Sequence, residues 1–166
     1  IAGIMIIIFA TLNFNSYHYL TPIIGALFGF IILNWYPSKV FMGDAGSLFL
    51  GSYLTSLIFS SVNLTEIIKI LFLCSPLLLD SLSCIIRRLL TGQNIFKSHK
   101  LHLYQRLVSN GLSHSVVTSL YMVTTIFLSL FYLFFNLFYF TMAVSFIIFL
   151  GIYIDKKYAA NFNQFV

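Results

Sequence analysis

Apolar residues fall into six runs that are separated by short polar stretches. The runs are Ile1–Leu12, Leu20–Tyr36, Leu48–Val62, Ile67–Ile86, Val116–Phe135 and Phe138–Ile154. A transmembrane α-helix needs about 20 predominantly apolar residues, and the runs reach or approach that length, the first being the shortest. We therefore predict an all-α fold, a polytopic integral membrane helical bundle with about six transmembrane segments.

Composition supports the same fold class. Of the 166 residues, 60% are hydrophobic and only 8% are charged, against about 25% charged in an ordinary soluble domain. The mean hydropathy is +0.97. Such a chain has too few charged residues to form the surface of a water-soluble protein, so we expect it to lie in a lipid bilayer. No repeat or flexible linker divides the sequence, which predicts a single membrane domain over residues 1–166.

The basic residues predict a topology. Lys39 follows the second run, five basic residues separate the fourth and fifth runs, and Lys156 and Lys157 follow the sixth. With alternating crossings, all of these residues lie on one face, which the positive-inside rule makes cytoplasmic. The cytoplasmic loops are then residues 37–47 and 87–114. The net charge of +5 is thereby explained by topology, and we expect no nucleic-acid partner.

The beginning of the chain predicts a C-terminal part of a longer protein. Ile1 is not a methionine, and the first run is too short to span hydrocarbon. It also lacks the basic flank of a signal peptide. The alternative is a complete protein with an interfacial first helix.

The segment FMGDAGS, from Phe41 to Ser47, is the first candidate for chemistry. Gly43 and Gly46 flank Asp44 and allow the backbone to approach a ligand closely. Asp44 or Ser47 could simply cap the following helix. Alternatively, a carboxylate at a helix start, with substrate phosphates, suits Mg²⁺. Lys39 is then a phosphate partner or only a topology anchor.

The basic loop from Arg87 to Arg106 is the second candidate. His99 and His102 are three residues apart, a spacing that places side chains on one helical face. Zinc would normally need a further protein ligand, and this loop supplies none, so donation to phosphate is the favoured role. The alternative is a solvated loop beside anionic lipid head groups.

Asp80 is the third candidate, because a carboxylate inside an apolar run must face protein or water. It is either a structural partner for a basic residue or part of a site. Pro76, four residues earlier, is expected to break the helix there.

Four segments together resemble a known family. They are Asn34–Ser47 (NWYPSKVFMGDAGS), Pro76–Asp80 (PLLLD), Gly92–Phe96 (GQNIF) and His99-x-x-His102. In order and spacing they resemble the polyprenyl-phosphate N-acetylhexosamine-1-phosphate transferases over about residues 1–110. This is the glycosyltransferase family 4 group that includes the phospho-N-acetylmuramoyl-pentapeptide transferases. The histidine motif looks closest to the O-antigen and capsule initiating enzymes, which favours a GlcNAc-type or deoxyhexosamine sugar.

The resemblance implies Mg²⁺-dependent transfer of a sugar 1-phosphate from a UDP-amino sugar to polyprenyl (undecaprenyl) phosphate, with release of UMP. Asp44 resembles the family's magnesium-binding and catalytic aspartate. The imidazoles of His99 and His102 resemble its catalytic loop. The expected substrate contacts are Asn34, Phe41 and Gln93 by resemblance, and Lys39, Lys97 and Arg106 by their charge.

The resemblance also implies a multi-pass protein of the bacterial inner membrane with its active face in the cytoplasm, and it is compatible with a homodimer. The family's upstream aspartate-rich motifs are absent from this sequence, so we expect the chain to be inactive alone. The competing function is a transporter or channel fragment, which predicts paired polar residues at the membrane midplane. A noncatalytic membrane subunit is the third alternative.

Overall fold

The computed structural model of the protein describes residues 1–15, 17–35, 37–95, 97 and 100–162, with the backbone alone at Asn15. Within these ranges the chain forms eight α-helices, one 3-10 turn and no strand, which confirms the helical fold class. The helices are α1 (Ala2–Asn15), α2 (Thr21–Asn34), α3 (Gly43–Ser60), α4 (Leu64–Leu73), α5 (Ser75–Leu90), α6 (Leu103–Ser109), α7 (His114–Phe134) and α8 (Leu137–Tyr158).

Each predicted apolar run corresponds to one helix, except the fourth run, which is split. The chain bends by 75° between α4 and α5. Pro76 is the second residue of α5, and it has no N–H to donate to the carbonyl of Phe72. The predicted break at Pro76 is therefore confirmed.

Polar residues determine where three of the helices begin. The side chain of Asn63 accepts a hydrogen bond from the Thr65 N–H at 3.0 Å at the start of α4. Ser113 caps α7 and Asn136 caps α8 in the same way. A side-chain oxygen at this position satisfies one of the N–H groups that the first helical turn leaves without a partner.

Two helices in the described part of the chain, α7 with 21 residues and α8 with 22, are long and apolar enough to cross a membrane. The bent pair α4–α5 adds a third span if it crosses as one unit. By contrast, α1 and α2 have 14 residues each, fewer than the roughly 20 that a perpendicular span requires. The chain is thus a helical membrane protein, and six spans stay a prediction.

Helices α1 and α7 form the centre of the packing. α1 packs against α2 and α7, and α7 packs against α4 and α8 as well. Ile8 and Leu12 of α1 are fully buried. Phe9 is also buried, and its ring meets the ring of Tyr53 edge-on, with centroids 5.7 Å apart.

Side-chain contacts show which helix ends lie together. At one end, Arg87 and Arg106 both pair with Asp155, which joins the end of α5, α6 and the end of α8. At the other end, Tyr132 donates to Glu66 at 2.9 Å. The basic residues at the ends of α5 and α8 therefore share one end, as the charge-based topology requires, and the cytoplasmic assignment of that end stays a prediction.

Candidate functional site

The Asp44 carboxylate is exposed in the first turn of α3. This helix begins at Gly43, whose φ of 62° lies in the region that favours glycine. Met42 occupies the capping position without a side-chain hydrogen bond. Ser47 donates to the carbonyls of Gly43 and Asp44, both at 3.1 Å, and so does not cap the helix either. The capping alternative for Asp44 and Ser47 is therefore wrong, and the carboxylate faces solvent.

Gly46 is required by packing in the same turn. A Cβ at this position would lie 2.6 Å from Cγ of Met42, much closer than two carbon atoms approach without contact strain. The side chain of Met42, at the capping position, thus lies over the first turn of α3 beside Gly46.

Asn34 shapes the loop that leads to Asp44. Its Nδ2 donates to the Val40 carbonyl at 2.7 Å, and its own carbonyl accepts from Ser38 Oγ at 2.7 Å. The backbone N–H of Lys39 donates to the Leu33 carbonyl at 2.9 Å. The loop is thereby closed on itself, and the Lys39 side chain is exposed.

A cleft of about 530 Å³ lies between the start of α1, the loop after α2 and the start of α7. It brings together Asn34 and Phe41, two predicted substrate contacts, and Phe41 is 79% exposed. His114 and Thr118 of α7 form the facing wall. The sequence does not identify His114 as a residue of this cleft, because nothing in it brings residue 114 close to residue 34.

Arg88 organises the basic loop from inside. Its side chain is 3% exposed, and its guanidinium donates to the carbonyls of Asn94, of Ile95 at 3.3 Å and of Lys97 at 3.1 Å. The backbone N–H of Gln93 donates to the Arg88 carbonyl at 2.9 Å. Gln93 is half-buried and the Lys97 side chain is exposed. The predicted residue His99 lies outside the described residues.

Asp80 is buried and joins α5 to two other elements. Its carboxylate accepts from the Leu103 N–H at 2.7 Å and from the Tyr121 hydroxyl at 3.1 Å. Nδ1 of His102 lies 3.8 Å from the same carboxylate. These contacts show that Asp80 has a structural role. Its described partners are a backbone N–H, a phenol and an imidazole.

Burial and the charge of Asp80 also act on Tyr104, in the first turn of α6. Burial, and then the negative charge of Asp80, raise the pKa of the Tyr104 phenol above its usual value. The phenol therefore stays protonated around neutral pH and can donate a hydrogen bond.

Arg106 is engaged inside the protein. It is 4% exposed and donates to the carbonyls of Leu101 at 3.2 Å and Ala160 at 2.9 Å, as well as to Asp155. The ring of Phe162 lies 5.7 Å from the guanidinium. These contacts give Arg106 a structural role, and its predicted substrate contact stays a prediction. Sequence reasoning missed Asp155, which lies 49 positions from Arg106.

The predicted site residues that the structure describes therefore fall into two groups at one end of the molecule. Asn34 and Phe41 line the cleft, and Asp44 follows Phe41 by three residues in the sequence. His102 contacts Asp80, and Arg106 contacts Asp155. Among the residues that the structure describes, no group of three or more His, Cys, Asp or Glu side chains is arranged to hold a metal ion. Asp44 thus offers a single carboxylate.

Comparison with known proteins shows similarity to one family. Residues 1–62 match the family model described as glycosyl transferase family 4. A probable undecaprenyl-phosphate N-acetylglucosaminyl 1-phosphate transferase of Bacillus subtilis is 37% identical over 110 residues, 63% of this chain and 31% of that protein. A phospho-N-acetylmuramoyl-pentapeptide-transferase of Oceanobacillus iheyensis is 36% identical over 109 residues, with 63% and 32% covered.

The chain spans about a third of the length of these curated relatives. No solved structure matches it significantly. The stretch matched by the family model contains α1, α2 and α3, and hence the cleft residues Asn34 and Phe41 and the exposed Asp44.

Proposed function

Because this chain belongs to glycosyl transferase family 4, we propose that the protein containing it transfers the 1-phosphate of a UDP-activated N-acetylated amino sugar to polyprenyl phosphate. An oxygen of the lipid phosphate forms a bond to the phosphorus that carries the sugar. The bond from that phosphorus to the bridging oxygen breaks, and UMP leaves with that oxygen. The product is a lipid-diphospho-sugar, the starting unit for a cell-surface polysaccharide.

The single observation that carries this proposal is the position of Asp44. It lies in the stretch matched by the family model, in the first turn of α3, exposed to solvent. Mg²⁺ bound to a diphosphate takes one or two protein carboxylates, and substrate oxygens and water complete its shell. Asp44 fits the role of one such ligand. When bound, Mg²⁺ would neutralise charge on the diphosphate.

The cleft lined by Asn34 and Phe41 suits the nucleotide. Phe41 offers an exposed aromatic face at its rim, and a ring of this kind can stack on a planar base. Asn34 holds the loop that presents Phe41, through its 2.7 Å bond to Val40. We assign the uridine of the donor to this cleft, with Lys39 near its phosphates.

The basic loop would bind the sugar phosphate of the UDP-sugar donor. Lys97 is exposed on a loop whose path Arg88 fixes, and His102, five residues later, is the capping residue of α6. Cationic and imidazole donors form strong hydrogen bonds to phosphate oxygens. We assign Gln93, Lys97 and His102 to the sugar phosphate and place this end of the molecule at the cytoplasmic face.

The identity of the sugar distinguishes two versions of the proposal. The two relatives carry names that specify N-acetylglucosamine and N-acetylmuramoyl-pentapeptide, at 37% and 36% identity. We favour an N-acetylglucosamine-type donor because His99-x-x-His102 is a looser histidine motif than that of the pentapeptide enzymes.

The test is a transfer assay on the purified full-length protein. It is incubated with undecaprenyl phosphate, Mg²⁺ and either UDP-N-acetylglucosamine or UDP-N-acetylmuramoyl-pentapeptide, and UMP is measured. We expect lipid-dependent UMP release with the first donor and loss of release on chelation of the metal. Release with the second donor alone would move the protein to the pentapeptide group. No lipid-dependent release with either donor would contradict the proposed function.

A further inference from the structure

The start of α7 forms the second wall of the cleft that is lined by Asn34 and Phe41. Its lining residues His114, Ser115 and Thr118, here called the polar wall, are all exposed. The stretch matched by the family model ends at residue 62, so this wall lies outside it. We propose that the polar wall is a further part of the donor site and contacts the nucleoside of the UDP-sugar. The proposal deepens the transferase function above and rests on it for the identity of the ligand.

The spacing of these residues places them on one face of α7. His114 and Thr118 are four positions apart, and Ser115 and Thr118 are three apart, so their side chains are neighbours on the helix surface. Met122, a further four positions along, also lines the cleft. A Cβ at Gly3 would lie 3.0 Å from Sδ of Met122, so α1 and α7 are closely packed at this point. The lining face of α7 is therefore polar near the helix start and apolar where it meets α1.

The side chains of the polar wall are available for a ligand. Within the described part of the chain they make no hydrogen bond. By contrast, Thr124 and Ser129 of the same helix each donate to a carbonyl of the preceding turn at 2.9 Å. The cap of α7 is supplied by Ser113, whose side chain accepts from the Val116 N–H. The polar wall is therefore not needed to complete the start of the helix.

The absence of charged side chains favours the nucleoside over the phosphates. Among the described residues, no Asp, Glu, Lys or Arg lines this cleft, whereas phosphate oxygens form their strongest hydrogen bonds with cations. Hydroxyl groups and a neutral imidazole can both donate and accept hydrogen bonds. Uridine requires both, because its ribose hydroxyls and the N–H of uracil donate while the uracil carbonyls accept. The chemistry of the polar wall therefore matches the uncharged part of the donor.

The size of the cleft also suits a nucleoside. Its volume of about 530 Å³ lies in the range of about 300–1,000 Å³ found for small-molecule sites, which combine apolar walls with a few polar groups. Ile31 and Met122 supply apolar lining, and Phe41 supplies an exposed aromatic face. A nucleoside in the cleft would meet Phe41 on one side, with His114 and Thr118 on the other.

The structural alternative is that water alone covers the polar wall at the membrane surface. Two exposed residues outside the cleft are matched controls for this alternative. Ser119 is adjacent to Thr118 in α7 but does not line the cleft. His18 lies in the 3-10 turn after α1 and is the control for His114.

The first test is protection of single cysteines in the full-length protein, in a background without other accessible thiols. We expect saturating UMP to slow the reaction of a water-soluble maleimide with Ser115→Cys and with Thr118→Cys, and to leave Ser119→Cys unaffected. Inorganic phosphate alone should protect none of them. Equal reaction of both wall variants with and without UMP would overturn the proposal. Protection by phosphate alone would overturn the assignment to the nucleoside.

Binding and turnover give a second readout. His114→Ala and Thr118→Ala each remove a hydrogen-bonding group, so we expect Kd for UMP and KM for UDP-N-acetylglucosamine to rise about 2–10-fold, the effect of losing one hydrogen bond. The fall in kcat should be smaller than the rise in KM, and the melting temperature should match that of the parent. His18→Ala and Ser119→Ala should leave both constants unchanged. Parent-like constants in both wall variants would contradict the proposal.

A failure of the transferase function can be distinguished from a failure of this inference. If UMP protects Ser115→Cys but the parent transfers no sugar phosphate, the proposed function fails and the polar wall remains a nucleotide site. If the parent shows lipid-dependent UMP release while the wall variants bind and turn over like the parent, only the role of the polar wall is excluded.

Discussion

The carboxylate of Asp155, in the last turns of α8, is paired with the buried guanidinium of Arg106 in α6. Arg87 from the end of α5 joins the same carboxylate. The short helix α6 of the basic loop is thereby attached to α5 and α8 through a single acidic side chain.

Replacing Asp155 should destabilise the protein. Asp155→Asn leaves the buried Arg106 without its anionic partner, and breaking one side of a buried pair costs about 3–5 kcal/mol of unfolding free energy. Thermal unfolding in detergent would measure the change. Lys156→Gln, one residue further along and exposed, is the control and should unfold like the parent. Equal stability of all three proteins would show that the pair contributes little.

The charge of Asp44 should matter for turnover and not for folding. Asp44→Asn preserves size but removes a metal-binding charge, so we expect a loss of about 2–4 kcal/mol of transition-state stabilisation, measured as UMP release. The helix should still form, because Asp44 makes no capping bond. Ser47→Ala is the matched control in the same turn, since the hydrogen bonds of its hydroxyl to the described residues go to carbonyls of the same helix. Near-normal transfer by Asp44→Asn would remove this residue from the metal site.

The two histidines of the basic loop should act on the substrate without holding zinc. His99→Gln and His102→Gln, each in the full-length protein, should lower turnover with the UDP-sugar while expression and melting temperature stay unchanged. Elemental analysis should find no stoichiometric zinc, because a closed zinc site normally has four ligands. Bound zinc that disappears together with these histidines would contradict this assignment. Full activity of the variant with both substitutions would instead favour the alternative, in which the loop lies beside anionic lipid head groups.

The topology can be tested by labelling single cysteines in a protein without other accessible thiols. Cysteines at Lys39, Lys97 and Lys156 should be inaccessible to a membrane-impermeant reagent added from outside, because basic loops remain in the cytoplasm. A cysteine at Val62, fully exposed at the opposite end of α3, should react. Reaction at Lys97 from outside would invert the topology and the location of the candidate site.

The helices could be predicted from the sequence because each apolar run is a local signal. The break before α5 could be predicted too, since Pro76 acts within its own helix. Contacts between distant residues could not. Arg88, Arg106 and Asp155 look like loop and end charges in the sequence, yet two of them are buried and the third is paired. The sequence leaves two roles open for Asp80, because its partners lie 23 and 41 positions away.

The hydrogen bonds from Arg88 to the backbone of the basic loop affect how substrate preference can change. Arg88 binds the carbonyls of residues 94, 95 and 97, and every amino acid supplies a carbonyl. The path of the loop is therefore independent of which side chains it carries at these positions. Substitutions at residues 94, 95 and 97 can therefore change the side chains offered to a sugar-nucleotide donor while the three hydrogen bonds from Arg88 to the backbone are retained.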